Sequence, residues 1–319
     1  MTGRSTALFR VSPLRILITG IAGFIGSHLA ARLLADGHTV LGLDNLSAGV
    51  IENVHPKVIF RRADIRSREI FPFFEHVDAV FHLAAKNCLI DCLEDPVQTA
   101  EINVAGTASV LEAARRAGVR KFVYADTAAE YEGVPELPSQ VDRIAPLSVY
   151  ARSKRAGAMF GEAYAHFYGL GLTTVRYFNV YGPAQDWRRS IPPLMSALAI
   201  KLLRGEQPII YGSGEKRRDF IYIDEVTDFN VLALVDSRTD GHVYNVGSGV
   251  NYSVNEVFCE LEAILKTGLV PTYKDDLPGE AEMTLADIRN ELKLGWRPRV
   301  GLREGIERSI GYLRERVLV

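Results

Sequence analysis

The sequence is poor in cysteine. Its 319 residues contain only Cys88, Cys92 and Cys259, an odd and small number that excludes the disulfide framework of a small secreted protein. Cys88 and Cys92 are four residues apart, but no further pair with zinc-ligand spacing lies near them, so no metal site is expected. Reduced thiols and a cytoplasmic location are the simpler interpretation.

Long apolar runs and an excess of one charge are also missing. No stretch approaches the roughly 18 apolar residues of a membrane-spanning helix, and no apolar signal segment follows the polar residues 1–13, which we expect to be frayed. The formal net charge is −2, so a nucleic-acid-binding surface is not indicated. An anionic ligand would have to be held by local charge.

Short apolar runs alternate with segments of helical spacing in the first half of the chain. The runs predict strands at 14–19, 39–43, 57–60, 79–83, 121–124 and 172–177, and the longer segments predict helices at 24–35, 96–117 and 149–168. Strand and helix alternating in this way predict an α/β fold with a doubly wound parallel sheet.

The pattern loosens after Asn179, where prolines separate predicted helices near 190–204, 253–266 and 302–315. No repeat and no flexible linker is present. We predict a Rossmann-type domain in residues 1–178, to which 219–248 returns. Residues 179–218 and 249–319 are predicted to form a smaller, mixed α/β substrate domain, with the active site in the cleft between the two.

A glycine motif lies between the first predicted strand and helix. Gly20 permits a tight turn, Gly23 lets the backbone approach a pyrophosphate, and Gly26 lets the helix pack on the strand. Asp44 ends the second strand, where a carboxylate can accept both ribose hydroxyls and repel a 2′-phosphate; this favours NAD over NADP. Asp64 is a second candidate, for the adenine, with a loop or helix-cap aspartate as the alternative.

Tyr150 and Lys154 are four apart in a predicted helix and so share a face. A nearby ammonium favours the phenolate, which would let tyrosine act as a base far below its reference pKa of about 10. By itself, a Tyr-x-x-x-Lys pair is as compatible with an ordinary surface helix as with a catalytic site. The glycine motif upstream in a parallel sheet favours the catalytic interpretation.

Together these residues resemble the extended short-chain dehydrogenase/reductase family, in particular its nucleotide-sugar epimerases and dehydratases. The resemblance extends over nearly the whole chain. It is carried by G-I-A-G-F-I-G at 20–26, Asp44-Asn45, Asp64-Ile65, His82-Leu83-Ala84-Ala85, Asn103, S-V-Y-A-R-S-K at 148–154, R-Y-F-N-V-Y-G-P at 176–183, R-D-F-I-Y at 218–222, N-V-G-S-G at 245–249 and L-G-W at 294–296.

The resemblance implies specific roles. It makes Thr127 the hydroxyl partner of Tyr150 and Lys154 in catalysis, places Asn179 and Arg218 on the nucleotide diphosphate, and places Glu280 on the substrate ribose. For Arg218 the alternative is a salt bridge to Asp219. Lys86 is expected beside the sugar. The implied NAD contacts, besides Tyr150 and Lys154, are Gly20, Gly23, Phe24, Ile25, Gly26, Asp44, Asn45, Asp64, Ile65, Leu83, Ala84, Ala85 and Asn103.

The residues after Thr127 bear on the reaction. A 4,6-dehydratase of this family carries an Asp-Glu pair there and the related decarboxylases carry Glu at the second position, whereas this chain has Ala128 and Ala129. A 4-epimerase needs no such group, so epimerisation is favoured; dehydration, ketoreduction and, with less support, a non-catalytic NAD sensor remain alternatives. Asp126 and Glu130 depart from the family pattern beside the expected sugar pocket, and Glu130 is left open as a base.

Two further expectations concern substrate and assembly. Thr284, four residues after Glu280, corresponds to a position that lies against the sugar C2 substituent in 4-epimerases. Its small size predicts that UDP-N-acetylhexosamine is accepted as well as, or instead of, UDP-hexose; alternatively it only begins the segment 285–288.

In the family the two helices at about 96–117 and 149–168 form a dimer interface. A homodimer is therefore expected, with small and apolar contacts at Ala105, Ala108, Ala113, Ala156, Ala158 and Phe160.

Overall fold

Strands and helices alternate along the computed structural model, which describes residues 12–185, 188, 192–276 and 281–317. The strands are β1 (Arg15–Thr19), β2 (Thr39–Asp44), β3 (Ile59–Arg62), β4 (Ala79–His82), β5 (Lys121–Thr127), β6 (Gly171–Tyr177), β7 (Asn179–Tyr181), β8 (Ile209–Tyr211), β9 (Arg217–Tyr222), β10 (His242–Val246), β11 (Asn251–Ser253) and β12 (Thr272–Lys274). The α-helices are α1 (Phe24–Ala35), α2 (Leu89–Glu94), α3 (Pro96–Ala100), α4 (Thr107–Arg116), α5 (Val149–Tyr168), α6 (Leu194–Leu203), α7 (Ile223–Val235), α8 (Val254–Leu265), α9 (Arg289–Lys293) and α10 (Leu302–Val317).

Seven of these strands form one sheet in the order β10-β6-β5-β4-β1-β2-β3, and every neighbouring pair is parallel. The strand order reverses beside β1, as it does in doubly wound folds. This confirms the predicted α/β class. Because all the strands are parallel, their carboxyl ends lie along one edge of the sheet, and the polar residues that follow the strands meet there.

Helices cover both faces of this sheet, which explains why its strands are almost continuously apolar. Successive side chains of β1 point to opposite faces of the sheet. Ile16 and Ile18 pack into a core with α1 and α7, whereas Leu17 packs into a second core with α4 and the Tyr124 side of β5. All three side chains are fully buried.

The helix predicted at 96–117 differs from the observed one. The segment begins at α3, passes through a π-helical turn at Glu101–Gly106, and continues as α4. The turn places the buried Asn103 where its side chain reaches both the Lys86 backbone and α5. β3 likewise begins two residues later than predicted, and β5 extends to Thr127.

The second half of the chain adds two small sheets. β9 pairs with β7 in parallel and with β11 in antiparallel orientation, and β8 pairs with β12. β9 spans the predicted junction at 218/219, and the following α7 and β10 pack on the large sheet. A smaller mixed α/β part is therefore present, while the exact division between two domains stays a prediction.

The contact between α5 and β5 fixes the position of the predicted catalytic helix. Tyr124 donates its hydroxyl hydrogen to the Lys154 backbone oxygen over 2.9 Å, and a β-carbon at Gly157 would overlap the same Tyr124 hydroxyl. We predict that Gly157→Ala destabilises the protein by about 1–3 kcal/mol in urea unfolding, because the helix must move or the tyrosine must lose its rotamer.

The matched control is Gly311→Ala on α10, where the added β-carbon meets no atom within 4 Å. Alanine is the better helix former, so this variant should be neutral or more stable by up to about 1 kcal/mol. Equal stabilities of the two variants would contradict the proposed close contact.

Candidate active site

The glycine loop after β1 is held close to the loop after β4. Gly20 has a φ of 75°, and a β-carbon there would lie 2.7 Å from the Ala84 nitrogen. A β-carbon on Gly26 would overlap the Gly20 carbonyl oxygen, so the start of α1 sits directly on the turn. Gly23 is the N-cap of α1 and offers no side-chain cap, and the first turn contains no acidic residue. The first-turn N–H groups, including those of Phe24 and Ile25, are thus suited to a phosphate.

Asp44 ends β2 as expected and is buried. Its Oδ2 accepts the Ala22 N–H of the glycine loop at 3.0 Å, and its Oδ1 accepts the Leu46 N–H at 2.8 Å. Burial raises the pKa of this carboxyl group, while the two N–H groups act in the opposite direction. The carboxylate is fixed beside the loop, and each oxygen retains a lone pair for a ribose hydroxyl.

The residues predicted for the adenine end lie after β2 and β3. Asn45 donates to Asp64 Oδ2 at 3.1 Å, and Arg66 pairs with the same carboxylate at 2.8 Å, which lowers the pKa of Asp64 to about 2. Asp64 also accepts the Arg66 N–H, so the loop-capping role weighed above is real. Ile65 is buried in the core against Gly106, which leaves its backbone as the group that a cofactor can reach.

The loop after β4 is anchored through the backbone. Leu83 N–H donates to the Thr19 carbonyl at 3.1 Å and Ala84 N–H to the Thr19 hydroxyl at 3.3 Å, with Ala85 following. His82 lies fully buried between the hydroxyls of Thr19 and Thr107, and burial lowers its pKa to about 3, so the ring is neutral. This histidine holds β4 and the loop in register, a role that the sequence motif alone did not reveal.

Asn103 is completely buried and contacts protein groups. It accepts from the Lys86 N–H at 2.8 Å and donates to the Lys86 carbonyl and the Ser153 hydroxyl, both at 2.9 Å. We interpret it as a positioning residue that ties the Lys86 loop to α5, and a direct NAD contact stays a prediction. The Lys86 ammonium donates to Gln98 at 3.0 Å, and its contact with a sugar is also untested.

Tyr150 and Lys154 lie on the first turns of α5, as predicted. Ser148 caps this helix by accepting the Ala151 N–H, and Glu132 in turn accepts from the Ser148 N–H and hydroxyl. The Lys154 ammonium lies 4.2 Å from the centre of the Tyr124 ring, and the side chain is buried. Burial lowers the pKa of Lys154 to about 8, and negative charge on the neighbouring acids, Asp126 and Glu130, opposes this effect.

Thr127 ends β5 at the carboxyl edge of the sheet, and its hydroxyl accepts the Ala129 N–H at 3.1 Å. A 3₁₀ turn, Ala128–Tyr131, follows directly. Ala128 and Ala129 therefore stand beside Thr127 without a titratable group. The structure brings Thr127 to the same edge as the glycine loop and the loop after β4.

Glu130 does not face the cleft, so its interpretation as a possible base is wrong. The Asp126 and Glu130 side chains are both fully buried, and Arg176, which is paired with Asp126 across β5 and β6, lies against them. The 3₁₀ turn directs Glu130 into the protein interior. The sequence could reveal the unusual residue types but not their mutual contact.

The predicted substrate residues surround β9. The Asn179 amide donates to the Asp219 carbonyl at 3.1 Å and to the Thr284 hydroxyl at 3.3 Å, and Thr284 also accepts the Asp219 N–H. Arg218, on the same strand, donates to the Arg217 and Glu282 carbonyls. Glu280 lies outside the described residues.

Asp219 was not predicted as a functional residue except as a partner of Arg218. Its buried carboxylate accepts the backbone N–H groups of Ser248, Gly249 and Ala286 over 2.6 to 3.0 Å. It thereby binds the loop after β10 and the Thr284 segment to β9. Its position in the R-D-F string was the only sequence signal.

The described ranges contain no helix long and apolar enough to cross a membrane. In the same part of the chain no three His, Cys, Asp or Glu side chains are grouped as metal ligands.

Comparisons with known proteins agree with this geometry. The family model described as the NAD dependent epimerase/dehydratase family matches residues 16–247. The UDP-glucose 4-epimerase of Mycolicibacterium smegmatis is 36% identical over 95% of this chain and 99% of the relative. The crystal structure of Thermotoga maritima UDP-glucose 4-epimerase with UDP-glucose superposes with a TM-score of 0.92 at 35% identity, covering 95% of this chain and 99% of the other. A UDP-N-acetylglucosamine 4-epimerase from Methanobrevibacter ruminantium, in complex with UDP-N-acetylmuramic acid, gives a TM-score of 0.91 at 28% identity, covering 96% and 99%.

The fold and the site define an enzyme of the extended short-chain dehydrogenase/reductase type. The chain belongs to the NAD dependent epimerase/dehydratase family, whose model covers most of its length. Its residues fit NAD, because a side chain on Gly20 or Gly26 would fill the turn and because Asp44 is fixed beside that turn.

We predict that Asp44→Ala weakens NAD⁺ binding by at least about tenfold in calorimetric titration, since a hydrogen bond to a charged group is worth about 1.5–3 kcal/mol. The wild type should prefer NAD⁺ to NADP⁺. Asp36→Ala, at the exposed far end of α1, is the matched control and should bind NAD⁺ normally. Unchanged affinity in Asp44→Ala, or a wild-type preference for NADP⁺, would refute the assignment.

Proposed function

We propose that this enzyme epimerises a UDP-sugar at C4 through a transient 4-keto sugar. The observation that carries the proposal is the combination at the end of β5: Thr127 lies at the same sheet edge as the Tyr150/Lys154 helix, while Ala128 and Ala129 supply no acid or base for eliminating water. Glu130 cannot substitute for them because it is buried. The names of the relatives support the same reaction.

In this mechanism Tyr150 removes the C4 hydroxyl proton, with the Lys154 ammonium stabilising the phenolate and the Thr127 hydroxyl orienting the C4 oxygen. NAD⁺, held by the glycine loop and Asp44, would supply the acceptor for the C4 hydride and the donor for its return, and the 4-ketone turns over in the pocket so that its opposite face receives it. Tyr150 then gives the proton back to the oxygen. The glycine loop and Asp44 hold the cofactor, and Asn179 and Arg218 are assigned to the diphosphate.

The proposed substrates are UDP-hexose and UDP-N-acetylhexosamine. Thr284 accepts hydrogen bonds from Asn179 and from the Asp219 backbone, which occupies the acceptor capacity of its hydroxyl. Its O–H hydrogen is the group that an acetamido oxygen can accept. Threonine is also small enough to leave room for that substituent.

A cytoplasmic location is part of this proposal. Cys88, Cys92 and Cys259 are free thiols, which is typical of a reducing compartment.

The reaction is tested by incubating the protein with UDP-glucose, UDP-N-acetylglucosamine and matched GDP- and dTDP-sugars and identifying products by NMR. Epimers should form without net NADH.

Tyr150→Phe should lower the rate by about 10²–10⁴-fold with NAD⁺ binding nearly intact, because the phenol is a base. Lys154→Ala should lower the rate and also weaken NAD⁺ binding. Retention of more than about a tenth of the activity in Tyr150→Phe, or an unsaturated keto product, would contradict the mechanism.

Substrate size is tested at Thr284. The ratio of turnover for UDP-N-acetylglucosamine over UDP-glucose should fall by about tenfold or more in Thr284→Tyr, because the larger ring occupies the space of the acetamido group. Thr284→Ser keeps the hydroxyl and is the control. If the wild type ignores the N-acetylated sugar, or if tyrosine leaves the ratio unchanged, Thr284 does not select the substituent.

We also propose a homodimer built on α5. Phe160 and Phe167, seven residues apart on one helix face, are 44% and 74% exposed, and Leu93 and Val97 from the adjoining α2 and α3 are about as open at 71% and 69%. Ala113 and Ala158, by contrast, are buried within the single chain and cannot serve as interface residues. Exposed apolar side chains on adjoining helices are typical of a protein interface.

Light scattering at micromolar concentration should therefore give twice the chain mass of 35.3 kDa. Phe160→Glu should shift the mass towards the monomer, because it places a charge in the interface. Val270→Glu, at a residue that is 68% exposed elsewhere, is the control and should remain dimeric. A monomeric wild type would refute the proposal.

A further inference from the structure

Four ionisable side chains are buried together behind the catalytic helix. Asp126 and Glu130 are the acids, and Arg176 and Lys154 are the bases. Arg176 and Lys154 are only 2% and 3% exposed. Asp126 follows Tyr124 by two residues on β5, and the Lys154 ammonium lies over the Tyr124 ring. Because side chains two apart on a strand share a face, Asp126 lies on the Lys154 side of the sheet.

The two carboxyl groups have too few hydrogen-bond donors. No side-chain N–H or O–H of another residue in the described part of the chain reaches their four oxygens in bonding geometry, and the Thr127 N–H is the backbone donor beside Asp126. Arg176 approaches within 2.6 Å of Glu130 and 3.6 Å of Asp126, but it directs Nη1 to the Tyr131 hydroxyl and the Val141 carbonyl. These guanidinium contacts are ion pairs without hydrogen-bond alignment. Two ionised carboxylates left in this state would be strongly disfavoured.

One proton on the pair removes one of the two negative charges and supplies the missing donor, because a protonated carboxyl group can donate a hydrogen bond to the other carboxylate. We propose that Glu130 carries this proton and donates it to Asp126, so that the pair presents one negative charge that keeps Lys154 protonated. Asp126 and Glu130 are then positioning residues for the Tyr150/Lys154 pair. Their catalytic consequence rests on the proposed function, whereas their effect on Lys154 does not.

The electrostatics of the surroundings agree with this arrangement. Burial, followed by the charge of Asp126, raises the pKa of Glu130 to about 8. Asp126 raises the pKa of Lys154 against the larger effect of burial, and Glu130 adds to this effect only when it is ionised. The other titratable or charged groups around the cluster are His82 from β4, Tyr124 from β5, Tyr131 from the 3₁₀ turn, and Tyr150 and Arg155 from α5. These neighbours include no further carboxyl group.

The shared proton has a consequence for stability. The pKa of Glu130 is raised in the folded protein, so between about pH 4.5 and 8 the folded chain holds a proton that the unfolded chain has lost. Stability from this group is therefore complete below that window and falls as the pH rises through it. The contribution changes the unfolding equilibrium constant by about tenfold per pH unit. Glu130→Gln, which donates an N–H without titrating, should remove this slope.

The direct test is the pKa of Lys154, measured by NMR of the full chain labelled with ¹³C at lysine Cε and saturated with NAD⁺. The signal is assigned by its loss in Lys154→Met. Asp126→Ser should lower the pKa of Lys154 by about one unit or more, the usual effect of removing an adjacent opposite charge. Glu130→Gln should leave it unchanged, because the charge of Asp126 remains. Asp36→Ser is the surface control.

Three results overturn the proposal: an unchanged Lys154 pKa in Asp126→Ser, a decrease of the Lys154 pKa by about one unit or more in Glu130→Gln, or parallel pH–stability curves for wild type and Glu130→Gln. The last two can be measured even if Asp126→Ser does not fold. The alkaline limb of kcat/KM should move to lower pH in Asp126→Ser together with the Lys154 pKa. If the pKa moves while no epimer is formed by the wild type, the proposed function fails and the inference stands.

Discussion

Burying the Lys154 ammonium at the carboxyl edge of a parallel sheet is the constraint on which the site depends. A lysine removed from water tends to lose its proton, and a neutral amine cannot stabilise a phenolate. The structure opposes that loss with the π-face of Tyr124 and the neighbouring acids on β5 and the 3₁₀ turn. The close contact between Gly157 and Tyr124 sets the distance at which these groups act.

The same sheet edge gathers the groups that we assign to the cofactor. Gly20 follows β1, Asp44 ends β2, Ala84 follows β4 and Thr127 ends β5, so residues far apart in sequence become neighbours through strand order alone. Side chains that never reach a ligand maintain this arrangement. His82 holds β4 against the first strand, and Asn103 holds the following loop against α5. The positions of the residues assigned to catalysis therefore depend on contacts along the whole carboxyl edge of the sheet.

Much of this could be predicted from the sequence. The alternating pattern predicted the parallel sheet, which the structure confirms. The glycine, Asp44 and Tyr150/Lys154 motifs predicted the candidate site because each requires a particular residue at a particular spacing. Long-range polar contacts escaped prediction. The burial of Asp126 and Glu130 depends on Arg176 from the neighbouring strand, and the role of Asp219 depends on two later loops. The π-helical turn before α4 also left no clear signal, because the sequence there keeps an ordinary helical pattern.

The central claim is that the hydrogen removed from C4 returns to C4. Its most direct test follows a UDP-hexose carrying deuterium at C4 through the reaction, with the product examined by ²H and ¹H NMR. The account predicts an epimer that retains the deuterium at C4, with the opposite configuration and no exchange with water. Loss of the label to solvent, or its transfer to another carbon of the sugar, would contradict epimerisation through a transient 4-ketone.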